Sequence, residues 1–186
     1  MTRNELKKII EADAVYYNSF SKTAHIKMVL TQSHFYVIHK YMKLLRYEEF
    51  YRHKSSEKCF FSEWNKFMEL IYARKKNKIG NKLGFYVPPN TIGAGTVIFH
   101  HGTIIINGEA RLGNNCKLHG NNCIGNNGIT FDAPKLGDNV DVGFGAAIIG
   151  NVMIADDVKI GAGAVVVSSF LEKGITIGGV PARRIK

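Results

Sequence analysis

The first 79 residues contain no glycine, although the chain of 186 carries 19. Every glycine lies at or after Gly80, so two regions of different construction are expected, residues 1–79 and a turn-rich remainder. Cysteine is scarce as well. Cys59, Cys116 and Cys123 form no CxxC pair and no even set, which argues against a disulfide framework and reads as reduced, buried thiols in a reducing compartment. No apolar run approaches the roughly 18 residues of a spanning helix. The start, Met1-Thr2-Arg3-Asn4-Glu5, lacks the apolar stretch of a secretory leader, and a soluble cytoplasmic protein is expected. With 45% hydrophobic residues, wholesale disorder is excluded and one or two small domains can be packed.

Acidic residues are outnumbered in one half only. Residues 1–86 hold 17 Lys+Arg against 8 Asp+Glu and residues 87–186 hold 8 against 7, so nearly all of the net charge of +10 is N-terminal. That segment has neither an aromatic RNA-binding sheet motif nor zinc-finger spacing, which argues against a nucleic-acid partner. A basic face toward an anionic membrane surface or an acidic glycan is expected instead, with peripheral contact at the inner face of the membrane.

The N-terminal region reads as helical. Thr2-Arg3-Asn4-Glu5 fits a capping box, and Leu6, Ile9, Ile10, Asp13, Ala14 and Tyr17 follow at helical spacing. Val29 to Tyr51 is a longer, less regular helical stretch, and Phe60, Phe61, Trp64, Phe67, Met68, Ile71 and Tyr72 form a second stripe. Aromatic stripes of this kind usually pack a core. The run Arg74-Lys75-Lys76-Asn77-Lys78 reads as a solvated helix end, where the macrodipole favours cations.

From Ile92 the chain keeps a six-residue period. Aliphatic residues recur at Ile92, Ile98 and Ile104, then after a two-residue shift at Ile106, Leu112, Leu118, Ile124, Leu136, Val142, Ile148, Ile154, Ile160 and Val166, with Thr130 the only break. Four residues after these lie mostly small side chains that should also point inward, among them Ala110, Cys116, Gly128, Val140, Ala146, Val158 and Ala164. Between them fall Asn114-Asn115, Gly120-Asn121, Asn126-Asn127, Asp138-Asn139 and Asp156-Asp157, which tolerate the left-handed backbone of tight corners. Three hexapeptides make one triangular coil, and coils stack about 4.8 Å apart as parallel strands. The domains expected are a helical region over 1–79, a β-helix over 80–171 and a C-terminal segment over 172–186.

The repeat resembles that of the hexapeptide acyltransferases, and the resemblance implies a mainly β fold, a left-handed parallel β-helix behind an α-helical region. Within that superfamily the chain resembles the serine-acetyltransferase-like branch, and most of all its sugar and polysaccharide O-acetyltransferases. The matching stretches are Ile9-Ile10-Glu11-Ala12-Asp13, Pro88 to Gly95, Ile104 to Asn107, Leu112 to Cys116, Val142 to Ala146 and Gly179-Val180-Pro181-Ala182. In this branch the catalytic histidine is the fifth residue after Ile-Gly-x-Gly, which here is His100. An acceptor alcohol attacks a thioester poorly unless its proton is removed, and an imidazole suits that task.

His101 and His119 are candidates to orient the base or hold the acceptor. Three clustered histidines on a β-helix also raise a zinc site, as in carbonic anhydrases of the same architecture. His100 and His101 are sequence neighbours whose side chains would diverge, so no metal is expected. Phe99 stands where serine acetyltransferases have an acidic residue, Phe85 aligns with their dyad carboxylate, and Asp132-Ala133 replaces their Arg-His pair. These departures favour an acetyl transfer to a hydroxyl of a sugar or glycan, lipid-linked precursors included, with Asp132 as a hydrogen-bond partner. Serine, a non-catalytic scaffold and the zinc enzyme stand as alternatives. The resemblance further implies acetyl-CoA as donor, a homotrimer, and a coenzyme A groove touching Phe144, Gly145, Lys159, Ala162, Arg183 and Arg184.

Overall fold

The structure is a computed structural model describing residues 1–57 and 61–185, and it divides into two compact units, Met1–Leu83 and Gly84–Lys186. The first unit contains α1 (Arg3–Asp13), α2 (Val15–Asn18), α3 (Lys22–Leu30), α4 (His34–Ser56) and α5 (Ser62–Leu83). The capping box is formed: Thr2 Oγ1 accepts from the Glu5 amide at 3.2 Å, and Glu5 Oε2 accepts from the Thr2 amide at 2.9 Å. The expected stretch from Val29 to Tyr51 is not one helix. It breaks at Thr31–Ser33, where Gln32 takes a φ of 50°, and Ser33 is the N-cap of α4.

Leu6, Ala14, Ile38, Tyr41, Met42, Leu45 and Phe50 pack the interior of this unit. Among them lies Arg46, which holds Asp13 through Nε at 2.7 Å and Nη2 at 3.3 Å, and Glu49 through Nη1 at 2.9 Å. The reading of Arg74 to Lys78 as a solvated helix end is corrected. Helix α5 runs on to Leu83, and Lys76 is buried with its Nζ 2.8 Å from Glu48. The boundary therefore falls at 83/84 rather than 79/80, because one glycine in a helix costs only about 1 kcal/mol and Gly80 is buried within α5. The second aromatic stripe is divided. Met68, Ile71 and Tyr72 are half-buried, with Tyr72 stacked on Tyr47 and Tyr51, while Phe61, Trp64 and Phe67 are exposed and Phe60 lies outside the described residues. No described helix is long and apolar enough to cross a membrane.

The second unit is a left-handed parallel β-helix with three flat faces. The first sheet stacks β1 (Phe85–Tyr86), β3 (Ile104–Ile106), β6 (Asn122–Gly125), β9 (Ala147–Ile149) and β12 (Val165–Val166). The second holds β4 (Arg111–Leu112), β7 (Lys135–Leu136) and β10 (Met153–Ile154). The third holds β2 (Val97–Ile98), β5 (Lys117–Leu118), β8 (Asp141–Val142), β11 (Lys159–Ile160), β13 (Thr176–Gly179) and β14 (Ala182–Arg184). All pairings are parallel except β13 with β14, so 172–186 finishes the third sheet instead of forming a separate segment.

The aliphatic column is buried throughout, with Ile104 and Ile106 both facing inward from β3 across the two-residue shift. Of the small positions, Ala110, Cys116, Val140, Ala146, Val158 and Ala164 are buried, but Gly128 is exposed. It sits with Thr130 in the β6–β7 connection, which leaves the coil. At the corners Asn115, Asn121, Asn139 and Asp157 take a positive φ. Asn126-Asn127 does not make such a corner; Asn127 Oδ1 instead accepts from the amides of Ile129 and Thr130 at 3.0 Å. At the corner from second to third sheet, side chains form a ladder. Asn114 Oδ1 accepts from the Ala94 amide, Asp138 Oδ1 from the Asn114 amide, Asp156 Oδ1 from the Asp138 amide, and Lys173 caps Asp156 at 2.6 Å.

Two expectations follow. Arg46→Ala would leave Asp13 and Glu49 buried without their cation, and urea unfolding should show a loss of about 3–5 kcal/mol. Burial pushes the Cys116 thiol up to about 11, so at pH 8 on the order of one in a thousand is thiolate. Iodoacetamide should leave Cys116 unlabelled in the native protein and modify it in urea, read by mass spectrometry.

Candidate active site

Strand register places Phe99, His119, Gly143, Gly161 and Gly178 in one column, each following an inward aliphatic residue of the third sheet. At Gly143 glycine is required by contact. A Cβ on Gly143 would come within 2.6 Å of the Ile160 carbonyl oxygen and of the Ala162 amide nitrogen. Phe99 and His119 depart from this rule at the corner leading from the third sheet to the first. Their rings pack on each other, with centroids 4.7 Å apart.

The departure coincides with added chain. Ile98 and Ile106 are eight residues apart where the regular corners take six, and the extra length carries His100 and His101 into the exposed corner between β2 and β3. The next coil braces this bulge. Asn121 Oδ1 accepts from the Thr103 amide at 2.9 Å, and Gly120 lies beside His100, where a Cβ would be 3.5 Å from that of His100 and 3.2 Å from the Phe144 ring. His119 is fixed from the other side, its Nε2 2.8 Å from Asp141 Oδ1.

Beneath the corner sits Asn122, fully buried at an inward position that elsewhere holds Ile104, Ala146 and Ala164. Its Oδ1 accepts from the Gly120 amide at 3.0 Å, and its Nδ2 donates to the Gly143 carbonyl at 2.8 Å. Neither Asn122 nor Asp141 was among the residues singled out from the sequence. A polar residue in an inward column was the available signal for Asn122.

The same corner collects most of the expected site. His100, His101, His119, Phe144, Gly145 and Ala162 all lie where the third sheet turns into the first, and Lys159 precedes that turn on β11. Gly163 donates to the Phe144 carbonyl at 2.8 Å, so these small residues form a continuous edge along the coils. Asp132 does not join them. It lies between β6 and β7, at the corner from first to second sheet, so within the chain it is apart from His100. Arg184 is tied to Glu172 at 2.6 Å, whereas Arg183 and Lys159 make no ion pair among the described residues. Among those residues no group of three His, Cys, Asp or Glu side chains is placed to hold a metal.

No protein-family model and no curated protein matches the sequence. Solved structures do. Serine acetyltransferase from Neisseria gonorrhoeae in complex with serine is 27% identical, with 97% of this chain and 69% of that one covered and a TM-score of 0.66. The enzyme from Brucella abortus is 20% identical over 98% and 70%, with a TM-score of 0.71, and soybean serine acetyltransferase is 24% identical over 97% and 69%, with a TM-score of 0.68. The left-handed β-helix behind helices is the fold of these proteins. The likeness corrects the branch expected from the sequence: it is to serine acetyltransferases, not to sugar or polysaccharide O-acetyltransferases.

Asn122→Ala would strip the Gly120 amide of its partner inside the coil and leave the Gly143 carbonyl with only the Ala146 amide. Denaturant unfolding should record a loss of about 1–3 kcal/mol, and Asn121→Ala, at an exposed corner, a smaller one.

Proposed function

We propose that this chain is an acetyl-CoA-dependent O-acetyltransferase whose acceptor is the hydroxyl of serine, with His100 as general base. The reading is carried by the likeness to the Neisseria gonorrhoeae enzyme, held over nearly the whole chain and solved with serine bound. The sugar and glycan acceptors favoured by Phe99, Phe85 and Asp132 give way to it. Those single-site departures concern how the acceptor is held, and the likeness extends through both units.

His100 is suited to the base by position: it stands in the one corner of the coil opened by two added residues, beside Gly120, where an acceptor can approach. Its imidazole takes the hydroxyl proton as the serine oxygen bonds to the acetyl carbon. The carbon–sulfur bond then breaks, and the proton passes from the imidazolium to the departing sulfur, so the products are O-acetylserine and coenzyme A. The edge formed by Gly145 and Ala162 suits a thin pantetheine arm, because small residues let it reach the backbone. Phe144 offers a half-exposed ring beside His100. Lys159 and Arg183, exposed and without ion pairs among the described residues, complement phosphate better than Arg184, which Glu172 already engages.

The test is thiol release from acetyl-CoA with L-serine as acceptor. His100→Ala should lower turnover by roughly 10²- to 10⁴-fold with the affinity for coenzyme A nearly unchanged. Equal loss in His101→Ala with none in His100→Ala would move the base. No release with L-serine would overturn the acceptor.

A further inference from the structure

Serine as a free amino acid brings a carboxylate and an ammonium to the site along with its hydroxyl, and the carboxylate needs a charged or strongly donating partner. Asp132, in the stretch where the sequence departs from its relatives, carries the wrong sign and lies at another corner. The histidine corner holds a different candidate. His119 occupies a column position that the stacking of the coils reserves for glycine in Gly143, so the fold itself does not call for an imidazole there. The ring is held on two sides, by the Phe99 ring at 4.7 Å and by Asp141 at 2.8 Å.

An ionised Asp141 can only accept, so His119 Nε2 donates to it, and Nδ1 is left without a hydrogen-bond partner among the described residues. The side chains of His119 and Asp141 are 38% and 29% exposed, open enough for a small ligand to reach. In register with Asp141 on either side stand Lys117 and Lys159, exposed and without ion pairs among the described residues. Recognition of a second carboxylate at Nδ1 takes the doubly protonated imidazole, which donates from both nitrogens. His119 lies one coil from Phe99 and next to Gly120, the residue that flanks His100.

We propose that His119, oriented by Asp141, recognises the carboxylate of the amino-acid acceptor and so sets the specificity of the site whose base is His100. The proposal rests on serine being the acceptor. His119 is a substrate-binding residue in this scheme and Asp141 a positioning residue.

The experiment compares L-serine with ethanolamine, the same amino alcohol without the carboxylate, in the full-length protein. His119→Gln keeps an N–H for Asp141 but cannot carry charge. It should raise KM for L-serine about 10- to 100-fold, leave KM for acetyl-CoA within about two-fold, and bring the preference for L-serine over ethanolamine close to one. Asp141→Asn, which keeps the shape of the side chain, should move the same ratio in the same direction, and melting curves of both variants report folding. A retained preference in folded His119→Gln, or an equal fall in kcat for both acceptors, would overturn the role of His119 while leaving serine acetylation intact. A wild-type protein that turns over neither acceptor would overturn the acceptor reading and this inference together. Turnover of ethanolamine as readily as L-serine by the wild type would overturn the inference alone.

Discussion

On the second and third sheets of this β-helix, successive coils approach most closely at the residue that follows an inward aliphatic, and there a side chain is mostly excluded. At Gly93, Gly113, Gly137 and Gly143 an added Cβ would run into the backbone or corner side chain of the following coil. That close approach fixes the stacking of the second and third sheets, beside the straight columns of Ile, Leu and Val inside. Phe99 and His119 do not obey it. The chain answers with two added residues before Ile106, and the corner that opens there presents its histidines to solvent. Where local packing rules fail in an otherwise regular repeat, a functional cause is the first to consider.

The repeat was legible because burial in a β-helix is strictly periodic, and a period survives in a single sequence. The capping box of Thr2 and Glu5 was legible for a similar reason, since both partners sit within four residues. What escaped was set by distance along the chain. Lys76 looked solvated among Arg74, Lys75 and Lys78, and only the fold brings Glu48, 28 positions earlier, to its amine. The His119–Asp141 pair was hidden by the β6–β7 connection, which lengthens the step between neighbouring coils: Lys117 faces Asp141 at 24 residues, whereas Ala147 faces Val165 at 18. An exposed Phe61, Trp64 and Phe67 could not be foreseen either, because helical spacing fixes a face and leaves open what covers it.

The acceptor was misread for a different reason. Phe99, Phe85 and Asp132 were weighed one position at a time, as losses of groups that would hold serine. The structure shows Phe85 buried in β1 and Phe99 engaged with His119. The first has become part of the core, and the second packs on His119, a side chain already among the candidates to hold the acceptor. A missing group is informative only if nothing else in the fold can supply its charge.

The ladder at the corner between the second and third sheets has a consequence for synthesis. Each rung is donated backwards: the amide of Ala94 is met by Asn114, that of Asn114 by Asp138, and that of Asp138 by Asp156. During translation the earlier coil leaves the ribosome with its corner amide still facing water, waiting for a carboxamide or carboxylate not yet polymerised. Each coil of the nascent β-helix therefore gains this corner bond only once the next coil has emerged, one step behind synthesis. The ladder is complete only when Lys173 reaches Asp156 and the last rung acquires its counter-charge.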